Sequence, residues 1–204
     1  MSATGTAYGV PDRASFDAGV SVLGEDVSQA TAEVSTRVRG LVSALTAAGV
    51  AEADVRTLQF NIFPEQLYDE SGQPTRLRYR VVNTVRVTVL DTAQLGALLG
   101  ESVAAGANEV ANVVYTVADP GALERQARVR AMRAARAKAE QLAGLGGVEL
   151  GDVRRIAEQT GGGGGVPVDM VRLESMAADA AASVPVAGGQ LEVTVSVSVV
   201  YGLR

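Results

Sequence analysis

Residues 119–147, DPGALERQARVRAMRAARAKAEQLAGLGG, are the longest unbroken helical pattern in the chain and its most strongly charged stretch. Asp119 is placed to cap the free N–H groups, and Pro120 falls at the first helical position, where a missing donor costs nothing. On a helical wheel Leu123, Ala127, Ala131, Ala134, Ala135, Leu142 and Leu145 share one face. Arg125, Val129, Arg130, Arg133, Arg136 and Glu140 lie around the other. An alanine-rich stripe predicts close packing on a sheet, with the arginine face turned to solvent or to a neighbour. Lys138 projects near the middle of that stripe. An ammonium is costly to bury unpaired, so Lys138 is expected to snorkel to an edge, meet a carboxylate or make a subunit contact. A ligand-binding or catalytic lysine is the alternative.

The segment that follows this helix has an echo upstream. Gly147-Val148-x-x-x-Asp152-Val153-Arg154 repeats Gly49-Val50-x-x-x-Asp54-Val55-Arg56 at identical spacing. The upstream copy also follows a long amphipathic helix. That helix opens at Glu25 and Asp26, carries Val27, Ala30, Val34, Val38, Leu41, Leu45 and Ala48 on one stripe, and ends at Gly49. A strand precedes each helix. In residues 13–23 Ala14, Phe16, Ala18, Val20 and Val22 alternate with smaller polar residues, and residues 110–117 form its counterpart.

After each motif come a strand, a polar loop and a long alternating strand. In the first copy Leu58, Phe60 and Ile62 share a face, residues 69–76 turn, and Val81, Asn83, Val85, Val87 and Val89 line one side of residues 77–90. In the second, residues 155–159 lead into Gly161–Gly165, and the chain closes on LEVTVSVSVVY, residues 191–201. The plan is β-α-β-loop-β twice, in halves of about 10–90 and 108–204. Helix 92–105 joins them, with Asp91 and Gln94 resembling a capping box. A short strand at residues 3–9 stands outside the repeat.

The expected fold class is therefore α+β: a single domain over 1–204 with a mixed, largely antiparallel sheet and long helices packed on one side. The β-α-β strands should run parallel and each looped return strand antiparallel. Alternating strands imply sheets covered on one face only. The plainer alternative is that GV-x3-DVR is simply a good helix stop and strand start.

Composition narrows the chemistry. The chain has no Cys and no His, which excludes thiol nucleophiles, disulfides, thiolate zinc sites, Ser-His-Asp triads and imidazole metal sites. Acid–base work would fall to Asp, Glu, Lys or Tyr. The net charge of −5 argues against a nucleic-acid binder. Residues 119–145 hold five Arg and one Lys against three acids, a local +3 that leaves −8 for the remainder. Such a strip suits a polyanion, although a solvated or subunit-facing helix is the commoner use. No apolar run approaches the roughly 20 residues that span a bilayer. The N-terminus has neither a basic nor an apolar leader region, as in a chain whose leader has been removed.

Several residue groups resemble the SIMPL domain family, long described as a domain of unknown function. They are Pro11-Asp12, Asp54-Val55-x-Thr57-x-x-Phe60-x-Ile62-x-Pro64, Tyr79-x-x-x-Asn83-x-Val85-x-Val87 and Leu95-Gly96. Gly106-Ala107-Asn108, Ala135-x-x-Lys138-Ala139-x-x-Leu142-Ala143 and Gly189-x-Leu191-x-Val193-x-Val195-x-Val197 continue the series. The glycine run departs from the family pattern. The resemblance implies an exported, envelope-associated bacterial homo-oligomer, with ring-like or channel-like assemblies and a link to oxidative-stress tolerance. It implies no catalytic activity, catalytic residue or cofactor.

Beyond Lys138, the candidate ligand-binding residues are Asn83, Arg125, Arg133 and Arg136. Asn83, on a valine-rich face, is expected to satisfy backbone groups at a bulge, with ligand binding the alternative. Asn108 reads as helix-exit chemistry, since Asn tolerates left-handed backbone. Asp17, Glu25, Asp26, Glu33, Glu65, Asp69 and Glu70 match no calcium-loop spacing and read as a solvated acidic surface, so no metal site is expected. Residues 160–189 read as a mobile linker, and the glycine run lacks the Lys-Ser/Thr of a phosphate loop.

Overall fold

The computed structural model describes residues 1–160, 166–167 and 189–204; most of the linker expected at 160–189 lies outside them. The elements run β1 (Ser2–Gly9), β2 (Arg13–Gly24), α1 (Val27–Ala47), β3 (Val55–Tyr68), β4 (Pro74–Val89), α2 (Leu95–Ala104), β5 (Glu109–Thr116), α3 (Pro120–Leu145), β6 (Leu150–Thr160), β7 (Val166–Pro167) and β8 (Leu191–Leu203). They are α+β, and the looped return strands β4 and β8 pair antiparallel with their neighbours as expected. The chain divides into two compact units. The smaller holds residues 1–11 and the described residues from 116 onwards, and the larger holds residues 12–115.

The larger unit is a sheet in the order β3-β4-β2-β5. β4 is antiparallel to both β2 and β3, so the two strands joined through α1 run parallel with the return strand between them. α1 starts where Asp26 accepts a hydrogen bond from the Gln29 N–H, 2.8 Å. It ends at Gly49, whose φ of 99° is the left-handed conformation that closes a helix. Its buried stripe, Ala30, Val34, Val38, Leu41 and Leu45, packs with Phe16, Ala18, Val20, Val81, Val85 and Val87 of the sheet. Leu95, Leu98 and Leu99 of α2 complete that core. Asp91 caps a short 3-10 turn ahead of α2 through the Ala93 N–H, and the Gln94 amide reaches the Asp91 carboxylate rather than its backbone. The reciprocal capping box is therefore not formed.

The smaller unit is a sheet in the order β1-β8-β6, with β7 also on β8. β8 is antiparallel to β1 and to β6, repeating the pattern of opening, return and middle strand seen in the larger unit. The opening strand is not the expected one. Residues 110–117 were assigned that place by the repeat, but β5 pairs beside β2, and β1 occupies the edge of β8. The reason is steric. α3 lies so close to β1 that a Cβ on Gly5 would collide with the Ala127 carbonyl oxygen and the Ala131 nitrogen. β1 offers Ala3, Gly5 and Ala7 to that face; β5 would bring Val110, Asn112 and Val114, or Val113 and Tyr115.

The stripe that α3 buries is Leu123, Ala127, Ala131, Ala135, Ala139 and Ala143. Four-residue spacing drifts about 40° around the helix at each step. A fixed wheel misses this drift, and so Ala134, Leu142, Leu145 and Lys138, assigned to the apolar face, are all exposed. The packed core of this unit is alanine, valine and Leu123, with no aromatic residue among its buried members.

Candidate functional site

The arginines of α3 are largely occupied. Arg125 bonds Asp119 at 3.1 Å, Arg128 grips Glu158 with two bonds of 2.6 and 2.7 Å, and Arg136 bonds Glu140 at 2.8 Å. Arg130 donates to the Thr6 carbonyl, 2.5 Å. The Arg128 guanidinium holds the Glu158 carboxyl below its ordinary range. Arg133 and Lys138 make no ion pair among the described residues, and Lys138 is exposed. Ala122, Arg125, Gln126, Val129, Arg130 and Arg133 line an open depression of about 430 Å³ along this helix.

Asn83 does not serve a bulge. The register slips in β3 between Thr57 and Gln59, leaving Leu58 without a cross-strand partner, while Asn83 pairs with Val20 and Phe60 within regular ladder. Among the described residues its buried Oδ1 has no hydrogen-bond partner. Asn108 also has a different role. Its side chain accepts from the Ser21 N–H and donates to the Ser21 carbonyl, both at 2.7 Å, and its own N–H reaches the Gly19 carbonyl. It is a side-chain rung that continues the β2 edge towards β5, and the left-handed residue at the α2 exit is Gly106.

The acids predicted to form a solvated surface are mostly engaged. Glu25 bonds Arg76, Glu33 bonds Arg37 and Glu65 bonds Arg80. Asp69 gathers the Ser71 N–H and hydroxyl and the Gln73 N–H at the β3–β4 turn; these bonds, the hydroxyl's first, hold its carboxyl low. Asp17 is the correction. It is 2% exposed and bonded by both arms of Arg86, Nε to Oδ1 at 2.7 Å and Nη2 to Oδ2 at 2.9 Å. Asn112 adds a bond of 2.8 Å from a backbone with φ of 52°. The Arg86 hydrogen bond, more than Asn112, keeps the Asp17 carboxyl below its ordinary range against the opposing effect of burial. Sequence separations of 69 and 95 residues leave this cluster no local motif. Among the described residues no three ligating side chains are placed to hold a metal ion.

The other feature without a sequence motif is an apolar arm. β2 pairs with β4 as far as Gly24 against Tyr79; beyond that point, among the described residues, 65–68 and 74–78 pair only with each other. Among the described strands, β3 is an edge strand for its whole length. α1 and α2 cover the core formed on β2 and β4, and they leave Phe60 46% and Ile62 42% exposed. Phe63, Tyr68 and Leu77 are exposed further out, Tyr68 to 64%. A free two-stranded ribbon is marginal in water, and a long apolar edge invites another chain.

Two antiparallel sheets, a helix pressed on an Ala/Gly seam and, among the described residues, an unpaired apolar edge define an α+β module. The SIMPL family, described as a protein of unknown function (DUF541), matches residues 1–201, and the chain belongs to it. The 26 kDa periplasmic immunogenic protein of Brucella melitensis biotype 1 is 30% identical over 199 residues, covering 95% of this chain and 80% of the relative. The uncharacterized protein YggE of Edwardsiella ictaluri is 33% identical over 152 residues, 74% of this chain; the match spans 64% of that relative's length. YggE of Escherichia coli K12 is 32% identical over 152 residues, 74% of this chain and 61% of the relative. No described helix is long and apolar enough to cross a membrane.

Proposed function

We propose that this protein is a non-enzymatic, extracytoplasmic component of the bacterial cell envelope that works as a self-assembled scaffold. The observation that carries the reading is the β3–β4 arm, where Phe60, Ile62, Phe63, Tyr68 and Leu77 stand exposed on an edge strand and a free ribbon. Phe60 and Ile62 share one face and Phe63 stands on the other, and exposed apolar side chains on an open edge mark an interaction site. The relative named as a periplasmic protein supports the compartment. Such a surface, pairing with its own copy, closes a dimer, and a ring or channel needs a second, head-to-tail contact besides it. A role in oxidative-stress tolerance would then run through assembly and not through thiols, since the chain has no Cys.

Light scattering after size exclusion tests the reading. The native chain elutes as a defined multimer, and Phe60→Lys falls to monomer with its circular dichroism and melting unchanged. A native chain that is monomeric at tens of micromolar overturns it.

The second reading, a polyanion-binding strip on α3, is favoured by the depression lined by Arg125, Arg130 and Arg133. It requires binding that weakens steeply with salt. The ion pairs already made by Arg125, Arg128 and Arg136 place it second.

A further inference from the structure

Building on the self-assembly reading above, we infer that the contact is made by residues 59–63 of β3 pairing antiparallel with the same residues of a second copy, about a two-fold axis at Asn61. Two features bound the free edge to this stretch. On one side the register slip leaves Leu58 unpaired and interrupts the ladder. On the other stands Pro64, paired with Tyr79 within the strand. A proline in an edge strand turns its missing donor to the free side. By the alternation of a strand, the outward N–H and C=O groups between these limits belong to Phe60 and Ile62. Only one symmetric register lets both residues exchange both bonds. Phe60 must face Ile62 of the second copy, which puts Asn61 opposite itself.

The side chains fit that register from either direction. On the face shared with Val81 and Asn83, Phe60 meets Ile62 of the second copy twice, an aromatic and β-branched cross-strand pair. On the other face the two Asn61 amides meet at the axis. The stretch Gln59–Phe63 carries no charge to repel its copy. Arg56 and Glu65 flank it at opposite ends, so antiparallel pairing sets Arg56 of one copy near Glu65 of the other, and parallel pairing would set like charge against like. The opposite edge of the sheet is less suited. β5 has 8 residues against the 14 of β3, and Asn112 breaks its extended backbone at φ 52°.

A single introduced cysteine tests the geometry, because the native chain has none. Residues facing each other at a non-hydrogen-bonded antiparallel position have Cα atoms about 4.5 Å apart, within the range a disulfide spans. Full-length Asn61→Cys, mildly oxidised, should form a covalent dimer at least about tenfold faster than Val113→Cys on β5. Ile62→Pro, which removes one outward donor and leaves the β4 ladder intact, should abolish the multimer. Asn61→Cys crosslinking no faster than the β5 control, with light scattering still showing a multimer, overturns the β3 contact and leaves the scaffold reading standing. A monomeric native chain overturns both.

Discussion

The two sheets share a strand plan and differ in how they are sealed. In the smaller unit α3 sits on β1 with no room for a side chain at Gly5, and the core is alanine, valine and one leucine. In the larger unit Phe16, Leu41, Leu45 and Leu95 fill a thick core, yet an edge strand and a hairpin arm remain uncovered. Close contact between backbones leaves a surface nothing to add, whereas bulky packing on the middle of a sheet leaves its rim open. The largest expected effect follows from breaking the tight seam. Gly5→Val places three carbons where the α3 backbone already stands, so the smaller unit should lose about 3 kcal/mol or more. Amide exchange in β8 should accelerate by two orders of magnitude or more, with exchange in β4 unchanged. Equal acceleration in both sheets would show that the units do not hold their stability separately.

The second difference is electrostatic. Asp17 is the buried charged residue among those described, and it belongs to the larger unit. Its folded pKa is depressed, chiefly by the Arg86 bond, so its ionised form favours folding. That contribution is complete above the unfolded value of about 3.9, declines as the pH falls below it, and is gone once the pH passes the folded value. Arg86→Met leaves the buried carboxylate with the Asn112 bond and the more distant charge of Arg56, and should cost about 3 kcal/mol at pH 7, the low end for a broken buried pair because Arg86 is partly exposed. Denaturant melts of the native chain should show the larger unit losing stability as the pH falls below about 4, and the variant should show a flattened acid limb there. A variant whose acid limb keeps its native slope would show that another group sets it.

The contrast between the sheets also marks what the residues reveal in order. Each long helix was legible from its stripe and caps, because Asp26, Gly49, Asp119 and Pro120 act within one turn. The last strand followed from alternation, in Val193, Val195, Val197 and Val199, whereas β6 starts at Leu150, five residues before the expected 155–159. The seat of β5 did not, because strand exchange depends on the volume beneath α3, which no window of β5 contains. Asp17 was misread because outward positions of an alternating strand look solvated until a distant Arg86 folds over them. The exposed rim was hidden for the opposite reason: Phe60 and Ile62 have the pattern of core residues, and only the placement of α1 and α2 shows that neither helix covers them fully.

The smallest effect concerns the residue that stood out most in the helix. A fixed wheel puts Lys138 among the alanines, where removing its charge would be strongly felt. The drift of the packed stripe puts Ala135 and Ala139 against the sheet and leaves Lys138 exposed, without an ion pair among the described residues. Lys138→Met should therefore change stability by no more than about 0.5 kcal/mol, the range of surface substitutions away from special features. Ala139→Met, one position further on, should cost several times more, because it forces a long side chain into the tight seam. Chemical denaturation of both variants measures the ratio. A costly Lys138→Met beside a tolerated Ala139→Met would mean that the stripe follows the straight wheel after all, and that the seam at Gly5 does not extend along α3.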